Sequence, residues 1–429
     1  MLKIKKSIVK PLNLLAAVLL VLTFALAGLA GKPAYAATPG ISLSVSSGPT
    51  GMYLTIHGFN QQQNLIDGYD YGLLTFQNSD PSKNLPPFLT FGAASIKSDG
   101  TFTWEGPLPR AGFYDSPDGP QLYQVPLGHM EISFFEFNGF SGGRADFTIT
   151  DNTEGPFADD TNTPVYSMDR LWKRTDQLIA AGETSRSWLW GPRDSGNGFV
   201  SLLEPYAEAS HGWRFVTYYD KTRMEVTNPG GDTSSPYYVT NGLLVQEMVT
   251  GQMQLGDNIF QTTTPASIPA AGDLSPDNQS PSFAAYAEVM RWAPYQDGDI
   301  IRQEIDQDGS TYSNNALPDY NVRAVHFVKE TSHHIASPFW DYLNSTGLLK
   351  DDDNKEYTGR IFDPLFYATG YPITEAYWTA TTVGGEVKDV LVQMFERRVL
   401  TYTPSNPPAY RVEMGNVGLQ YYQWRYNRG

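Results

Sequence analysis

The stretch QMFERRVLTYTPSNPPAYRVEMGNVG (residues 393–418) is the part of the sequence that decides the fold, because a similar stretch, TYYDKTRMEVTNPGGDTSSPYYVTNGLL, occurs at residues 217–244. Each contains an aromatic residue followed by an acid and a base: Tyr219-Asp220-Lys221 in the first copy and Phe395-Glu396-Arg397 in the second. The recurrence predicts an internal duplication of one helix, sheet and helix unit. We therefore expect a pair of packed α+β lobes.

Helical patterns surround both copies. Leu171, Trp172, Leu178 and Ile179 fall on one face of a helix that Gly182 would cap. VTNGLLVQEMVTG and VEMGNVGLQYYQWRY predict two further helices, whereas SWLWG predicts a strand. The repeats align through three further pairs of segments: Gly182 to Trp190 with Gly370 to Trp378, Val239 with Val412, and Gly242 with Gly415. We expect the first repeat at residues 165–260, an inter-repeat loop and strands at 261–335, and the second repeat at 336–429.

The region before the repeats has a different character. Short alternating runs such as YLTIH, GLLTF and EISFFEF are separated by Gly, Pro, Asn and Asp clusters that favour turns. This spacing predicts an all-β sandwich over residues 39–150. The polar, acidic and proline-punctuated residues 151–164 then predict a linker. The expected protein is multidomain, with a β-sandwich followed by duplicated α+β lobes.

Two resemblances accompany these patterns. ISLSVSSGPTGMYLTIHGFN (residues 41–60) resembles the first strands of immunoglobulin-like IPT/TIG domains, with Gly48, Pro49, Gly51, Gly58 and Phe59 at the characteristic places. GYPITEAYW, FERRVLTYTP and NPPAYRVEMGNVGLQYYQWRY resemble an uncharacterised module of secreted bacterial proteins. The first resemblance implies an immunoglobulin-like sandwich. The second implies an extracytoplasmic role and no particular activity.

The N-terminal segment and the composition bear on location. Residues 1–36 contain lysines, an apolar run and an Ala-Tyr-Ala site, a pattern typical of a secretory signal peptide; a retained membrane anchor is the alternative. The chain has no cysteine, which excludes disulfides, thiol catalysis and thiolate metal sites. Its net charge of −16 becomes more negative once the five lysines of that segment leave. We expect a secreted or cell-surface protein that binds neither nucleic acid nor, after signal removal, a membrane.

Carboxylates are the first candidate site residues. Glu396, which is followed by Arg397 and Arg398, could act as a general acid, although neighbouring arginines favour the charged form of a carboxyl group. The alternative is a structural role for Glu396, in a salt bridge or at a sheet edge. The acidic residue Asp220 at the corresponding position of the first copy favours this alternative. Glu204 and Glu208 are four residues apart and would share one face if that stretch is helical. Such a pair could hold a cation or work as acid and base.

Other motifs are weaker. Asp306-x-Asp308-Gly309 carries the start of a calcium loop without the distal glutamate, so calcium is possible but a plain turn is favoured. The adjacent His333 and His334 do not form a metal motif, and Asp351 to Asp353 read as a solvated loop. Gly139 to Gly143 fits the GxSxG pattern but precedes a strand, whereas a nucleophile elbow precedes a helix.

Aromatic residues are the last candidates. Trp188, Trp190, Trp378 and Trp424 could stack on sugar rings, with core packing as the alternative. Two functions remain open: a non-enzymatic binding or scaffolding protein of the bacterial cell envelope, whose partner is an envelope glycan or a secreted protein, and a secreted hydrolase acting on polysaccharide with paired carboxylates. Two carboxylates converging in a deep, aromatic-lined cleft would favour the hydrolase.

Overall fold

The computed structural model describes most of the chain after the N-terminal segment: residues 38–61, 71–78, 82, 85–116, 119–136, 141–152, 163–193, 200–209, 212–273, 278–317 and 319–426. The predicted signal segment lies outside these described residues. So do most of the predicted linker and the first two residues of the GxSxG motif.

Residues 39–150 form two sheets around an apolar core. Along one strand the side chains alternate between exposed and buried, so that Leu54 and Ile56 point inward. The strands are β1 (Gly40–Leu43), β2 (Ser47–Gly48), β3 (Tyr53–Phe59), β4 (Tyr71–Gln77), β5 (Phe88–Ser95), β6 (Phe102–Pro107), β7 (Ala111–Ser116), β8 (Gly119–Gln124), β9 (Gly128–Glu136) and β10 (Ser141–Ile149). One sheet has the order β1-β3-β6 and the other β2-β10-β9-β4-β5-β7-β8. The prediction of an all-β region is confirmed.

A long helix and an antiparallel meander follow. Helix α1 (Thr163–Ala180) ends before Gly182, whose φ of 72° is the left-handed value that favours glycine. The next four strands pair in sequence order as one sheet, and a short helix follows them. We call these elements the first meander unit: β11 (Val200–Pro205), β12 (Trp213–Tyr219), β13 (Thr222–Val226), β14 (Thr240–Asn241) and α2 (Leu244–Thr250).

Three hairpins and a helix connect this unit to the last part of the chain. Each hairpin is antiparallel, and the second one turns at the predicted Asp306-Gly309 position. The elements are β15 (Gln252–Gln254), β16 (Phe260–Thr262), β17 (Gln303–Ile305), β18 (Thr311–Ser313), β19 (Ala324–Val328), β20 (His333–Ala336) and α3 (Ser337–Leu343). A further hairpin follows α3 and consists of β21 (Thr346–Lys350) and β22 (Glu356–Arg360).

A second meander ends the described chain. Its four strands also pair in sequence order, and a helix again follows. We call these elements the second meander unit: β23 (Tyr377–Val383), β24 (Glu386–Met394), β25 (Val399–Tyr402), β26 (Val412–Met414) and α4 (Val417–Tyr426). The hairpin β17–β18 extends its sheet through a parallel pairing of β17 with β23.

The predicted strand SWLWG is wrong. No strand is present at residues 187–191, because the buried carboxylate of Asp176 on α1 binds the backbone there. It accepts hydrogen bonds from the N–H groups of Leu189, Trp190 and Gly191 at 3.1, 2.7 and 3.0 Å. Backbone donors used in this way cannot take part in a strand ladder.

The two meander units dock on each other reciprocally. The N–H groups of Gly418 and Leu419, at the start of α4, donate to the carbonyl of Asp220 in the β12–β13 turn at 3.0 and 3.2 Å. The N–H of Gln246, at the start of α2, donates to the carbonyl of Glu396 in the β24–β25 turn at 3.1 Å. Each helix start therefore satisfies its free N–H groups on the turn of the other unit.

The N-terminal sheets also contact the first meander unit. Phe113 of β7 stacks on Phe215 of β12 with ring centroids 4.5 Å apart, and Trp104 of β6 lies 6.1 Å from Trp213. Residues from Pro39 onward form one compact unit by their contacts. Among the described residues, no helix combines the length and the apolar character needed to cross a membrane.

Candidate functional site

Glu204 and Glu208 do not share a helix face, because the stretch that carries Glu204 is a strand. Glu204 is the penultimate residue of β11 and is fully buried. Glu208 is exposed in the turn that follows, where its carboxylate accepts the N–H of Asp257 at 2.8 Å. The two carboxylates are separated because β11 ends at Pro205: Glu204 lies inside the sheet and Glu208 lies beyond it on the surface. They cannot act together as acid and base.

Glu204 instead belongs to a buried ion network. Its carboxylate lies 3.1 Å from Arg223 Nη1, 3.2 Å from Arg425 Nε and 3.7 Å from Arg214 Nη2. It also accepts hydrogen bonds from the hydroxyls of Tyr218 and Tyr426. The three arginines and Tyr218 are buried and Tyr426 is half-buried, so the carboxylate, which itself has no exposed surface, is closed to a substrate.

The other members of the network balance its charge. Glu225 pairs with Arg214 at 2.9 Å and with Arg223 at 2.5 Å. Glu247 of α2 lies 3.7 Å from Arg223 and accepts a hydrogen bond from Tyr421 of α4 at 2.5 Å. Glu204, Glu225 and Glu247 thus face Arg214, Arg223 and Arg425. The network joins the sheet of the first meander unit to the helices of both units.

The charge state of Glu204 follows from this environment. Burial alone would raise its pKa, but Arg223, Arg425 and Arg214 outweigh burial and lower the pKa of Glu204 to about 2. The group is therefore an anion at neutral pH. A general acid must hold a proton to donate, so Glu204 is unsuited to that role.

Glu396 lies at a turn where its contacts hold the backbone. Its carboxylate accepts the N–H of Tyr371 at 3.0 Å, directly after Gly370. The next buried residue, Arg398, donates to the side-chain oxygen of Asn241 at 3.3 Å. Burial and the like charge of Arg397 lower the pKa of Arg398 to about 9. Both contacts fasten neighbouring segments of the scaffold to one another.

The four candidate tryptophans lie against the cores. Trp190, Trp378 and Trp424 are buried, and each indole N–H donates to a backbone carbonyl. The acceptors are Leu171, Ile301 and Thr264, at 3.1, 3.0 and 2.9 Å respectively. Trp188 is half-buried and packs against one core. Buried rings with occupied N–H groups offer no face to a sugar.

The remaining polar candidates form turns or internal contacts. Asp308 accepts the N–H of Ser310 at 2.9 Å, and the carbonyl of Asp306 accepts the N–H of Gly309, so both residues shape the β17–β18 turn. His333 and His334 are buried against Glu375, which accepts the N–H of His334 at 2.8 Å. No group of three or more side chains suited to a metal ion occurs in the described ranges.

A surface cleft lies outside these candidates. It has a volume of about 550 Å³ and lies between the segment after α1, helix α3, the β21 strand and the segment before β26. We call it the hydroxyl cleft because hydroxyl groups dominate its polar lining: Thr184, Ser185, Ser187, Tyr342, Ser345, Thr346 and Tyr402. Its charged lining residues are Arg186, Arg411 and Asp341.

Hydrogen bonds hold the walls of the cleft in place. Ser187 is within 3.1 Å of the Tyr342 hydroxyl and donates to the carbonyl of Val412 at 3.2 Å. The guanidinium of Arg186 donates to the carbonyls of Leu348 and Thr175 at 2.9 and 2.8 Å. Burial lowers the pKa of Arg186, opposed by the negative charge of Asp176. Burial likewise raises the pKa of Tyr342 to about 12, so its hydroxyl stays protonated.

Sequence reasoning missed these lining residues. They come from segments as far apart as Thr184 and Val412, and no local motif marks any of them. The only available signal is the group of Ser and Thr residues between α1 and the SWLWG segment, which composition alone does not separate from an ordinary loop. The cleft is a product of tertiary packing.

Comparison with known proteins adds little to this geometry. No family model matches the sequence, and no curated protein matches it. Among solved structures, the chain is similar to the crystal structure of Spo0M, a sporulation control protein from Bacillus subtilis, at 13% identity over 46% of this chain and 67% of that chain. The TM-score is 0.12, a value that supports no argument about fold or function.

Proposed function

We propose that the chain is a secreted, non-enzymatic binding protein of the bacterial cell envelope, and that the hydroxyl cleft holds an envelope glycan. The observation that carries this proposal is the composition of the cleft, in which many hydroxyls and two arginines accompany one carboxylate, Asp341. Hydroxyls and arginines make the hydrogen bonds that sugar hydroxyls and acidic sugar substituents need.

The same composition weighs against the hydrolase. Glycoside hydrolysis commonly uses two carboxylates roughly 5 to 9.5 Å apart across the scissile bond. Within the described lining of the cleft, Asp341 has no second carboxylate beside it. Glu204 is enclosed in the ion network, Glu208 is on an exposed turn and Glu396 holds the backbone of Tyr371. A secreted protein is the alternative partner for the cleft.

Two finer features of the architecture belong to the same proposal. We infer that the N-terminal sheets are an immunoglobulin-like sandwich that displays the cleft, and that the meander units arose by duplication. The reciprocal docking of α2 on the Glu396 turn and α4 on the Asp220 turn supports the duplication. A sandwich on one side and a two-part scaffold on the other suit a display role at a surface.

Affinity electrophoresis of the full chain in gels that contain purified envelope glycans tests the proposal. We expect the wild type to be retarded, and Arg411→Ala to be retarded less, because the exposed Arg411 lines the cleft. Arg291→Ala is the matched control, since Arg291 is also exposed but lies outside the lining. Equal retardation of both variants would contradict the placement of the glycan in the cleft. Retardation by no glycan, with capture of a secreted protein instead, would favour the alternative partner.

A further inference from the structure

A second, smaller pocket lies on the opposite face of the same sheet edge. It has a volume of about 190 Å³ and is lined by residues of both meander units. Thr401 and Glu413 pair across β25 and β26 and line this pocket, whereas Tyr402 and Val412, which pair next to them, line the hydroxyl cleft. Successive side chains of a strand point to opposite faces, so the two sites are separate. We call the smaller one the edge-strand pocket.

The polar groups of this pocket are mainly hydrogen-bond acceptors. Glu413 contributes a carboxylate that, among the described residues, forms neither a hydrogen bond nor an ion pair through its side chain. Burial raises the pKa of Glu413, while the charge of Lys221 opposes that rise. The hydroxyls of Thr401 and Thr403 add groups that can both donate and accept.

Gln420 supplies the second observation. It is buried with only 5% of its surface exposed, and its Nε2 donates to the carbonyl of Pro269 at 2.8 Å. Its Oε1 is buried and has no hydrogen-bond partner in the part of the chain that the structure describes. An unsatisfied buried acceptor is unfavourable, and a hydrogen-bond donor from outside the chain would satisfy it.

The position that corresponds to Gln420 in the first meander unit is occupied by Glu247, whose partners belong to the protein itself. Gln420 is the fourth residue of α4, and Glu247 is the fourth residue of α2. Glu247 accepts from the Tyr421 hydroxyl and from the N–H of Gln254 at 3.1 Å. Both hydrogen bonds go to Oε2, whereas Oε1 lies 3.7 Å from Arg223 Nη2 without a hydrogen bond. At the equivalent position of the second unit, Gln420 lines the edge-strand pocket.

The charge and shape of the pocket restrict the ligand. Lys221 already donates to the carbonyl of Met414 at 2.7 Å and to Asn416 at 3.0 Å. Asp273, the second carboxylate of the lining, accepts the N–H groups of Gly384 and Gly385 at 3.2 and 2.9 Å, so both charges are engaged within the chain. Val383, Val390, Ala270 and Ala271 form an apolar wall. A ring with hydroxyl donors on one side and C–H groups on the other matches a pocket with acceptors opposite an apolar wall.

We propose that the edge-strand pocket binds an uncharged, hydroxyl-rich ring of monosaccharide size, with ligand hydroxyls donating to Glu413 and to Gln420 Oε1. This site is independent of the hydroxyl cleft. It gives the protein a second, smaller sugar-binding position on the other face of the second sheet.

Saturation-transfer NMR on the full chain tests this site with defined probes at millimolar concentration. The probes are glucose and N-acetylglucosamine as uncharged rings, methylammonium as a cation and acetate as an anion. We expect transfer to at least one of the two sugars and none to the two ions. Glu413→Gln should weaken the sugar about tenfold or more, because a hydrogen bond to a charged group is lost. Thr401→Val, which keeps the side-chain shape, should weaken it as well.

Two controls separate this site from the cleft. Thr358→Val changes an exposed threonine of β22 and should leave sugar binding unchanged. Arg411→Ala changes the cleft, so the part of the sugar signal that persists in this variant arises outside the cleft. The proposal is overturned if neither sugar receives transfer, if methylammonium or acetate binds in preference, or if Arg411→Ala abolishes the signal while Glu413→Gln and Thr401→Val retain it. Thermal melting of each variant checks that it is folded.

Discussion

The first and second meander units share a strand order and a docking mode but differ in the chemistry of one sheet face. The acidic residue of the turn is Asp220 in the first unit and Glu396 in the second. Three residues later the first unit has Arg223 and the second has Val399, and both are fully buried. Two residues later the first has Glu225 and the second has Thr401. The first face is closed by an ion network, whereas the second leaves the edge-strand pocket open. The shared docking shows that turns and helix starts specify the arrangement, while the face can vary.

The largest expected effect comes from breaking the ion network. Arg223→Met should lower the free energy of unfolding by roughly 3 to 5 kcal/mol, because it leaves buried carboxylates without their counter-charge. Lys388→Met in the second unit is the control, since Lys388 lies 4.0 Å from the largely exposed Glu386. That variant should lose at most about 1 kcal/mol. Urea denaturation measures both, and similar losses would remove the contrast between the units.

The pH dependence of the same network has a definite sign. The folded pKa of Glu204 is about 2, below the ordinary carboxyl value, so its stabilisation is complete above the unfolded pKa and is lost as the pH falls toward 2. The difference between the unfolded and folded pKa values of Glu204 corresponds to about 3 kcal/mol of stability. The stability difference between wild type and Glu204→Gln should therefore shrink when the pH is lowered from about 5 toward 2. A difference that stays constant over this range would contradict the assigned charge state.

The docking of α4 depends on a glycine. A Cβ at Gly418 would collide with the carbonyl of Tyr219 and lie 2.6 Å from the backbone of Thr222, so α4 would have to move away from the β12–β13 turn. Gly418→Ala should cost roughly 1 to 3 kcal/mol. At Gly415 the nearest atom would be Val399 Cβ at 3.4 Å, which is ordinary contact, so Gly415→Ala should be close to neutral. Thermal melting of the pair tests whether this close approach is essential.

The smallest effect concerns Glu396. Its carboxylate accepts one backbone N–H, and a glutamine keeps an acceptor oxygen at that place. Glu396→Gln should therefore change stability by at most about 1 kcal/mol and leave glycan binding intact. Chemical denaturation and affinity electrophoresis measure the two properties. A normally folded variant that loses a catalytic activity of the wild type would show that the turn is more than scaffold.

Local patterns in the sequence predicted the elements that local chemistry controls. Helix α1 ends just before Gly182, as the sequence predicted. Helices α2 and α4 form over the apolar runs that come after Gly242 and Gly415. The alternation in YLTIH predicted β3. In each case the deciding residues are neighbours in the chain, so their periodicity is visible in the sequence.

Long-range contacts explain the failures. SWLWG has strand propensity, but Asp176 removes its N–H groups from any ladder. Glu204 and Glu208 have helical spacing, but pairing of β11 with β12 places Glu204 in a sheet and leaves Glu208 in the turn after it. The segment with Ala266 and Ala270 has the composition of a flexible loop, yet both side chains are buried in the core shared by the meander units. Long-range contacts of this kind cannot be recognised from the neighbouring residues in the sequence.

One paired measurement tests the central proposal, binding without turnover, most directly. The full chain is incubated with a panel of envelope and environmental polysaccharides, and retention of the protein and release of new reducing ends are measured on the same samples. We predict retention by at least one glycan, reduced in Arg411→Ala, with no release of reducing ends. Release that is abolished by Asp341→Asn or Glu396→Gln in a normally folded protein would contradict the account and establish a hydrolase.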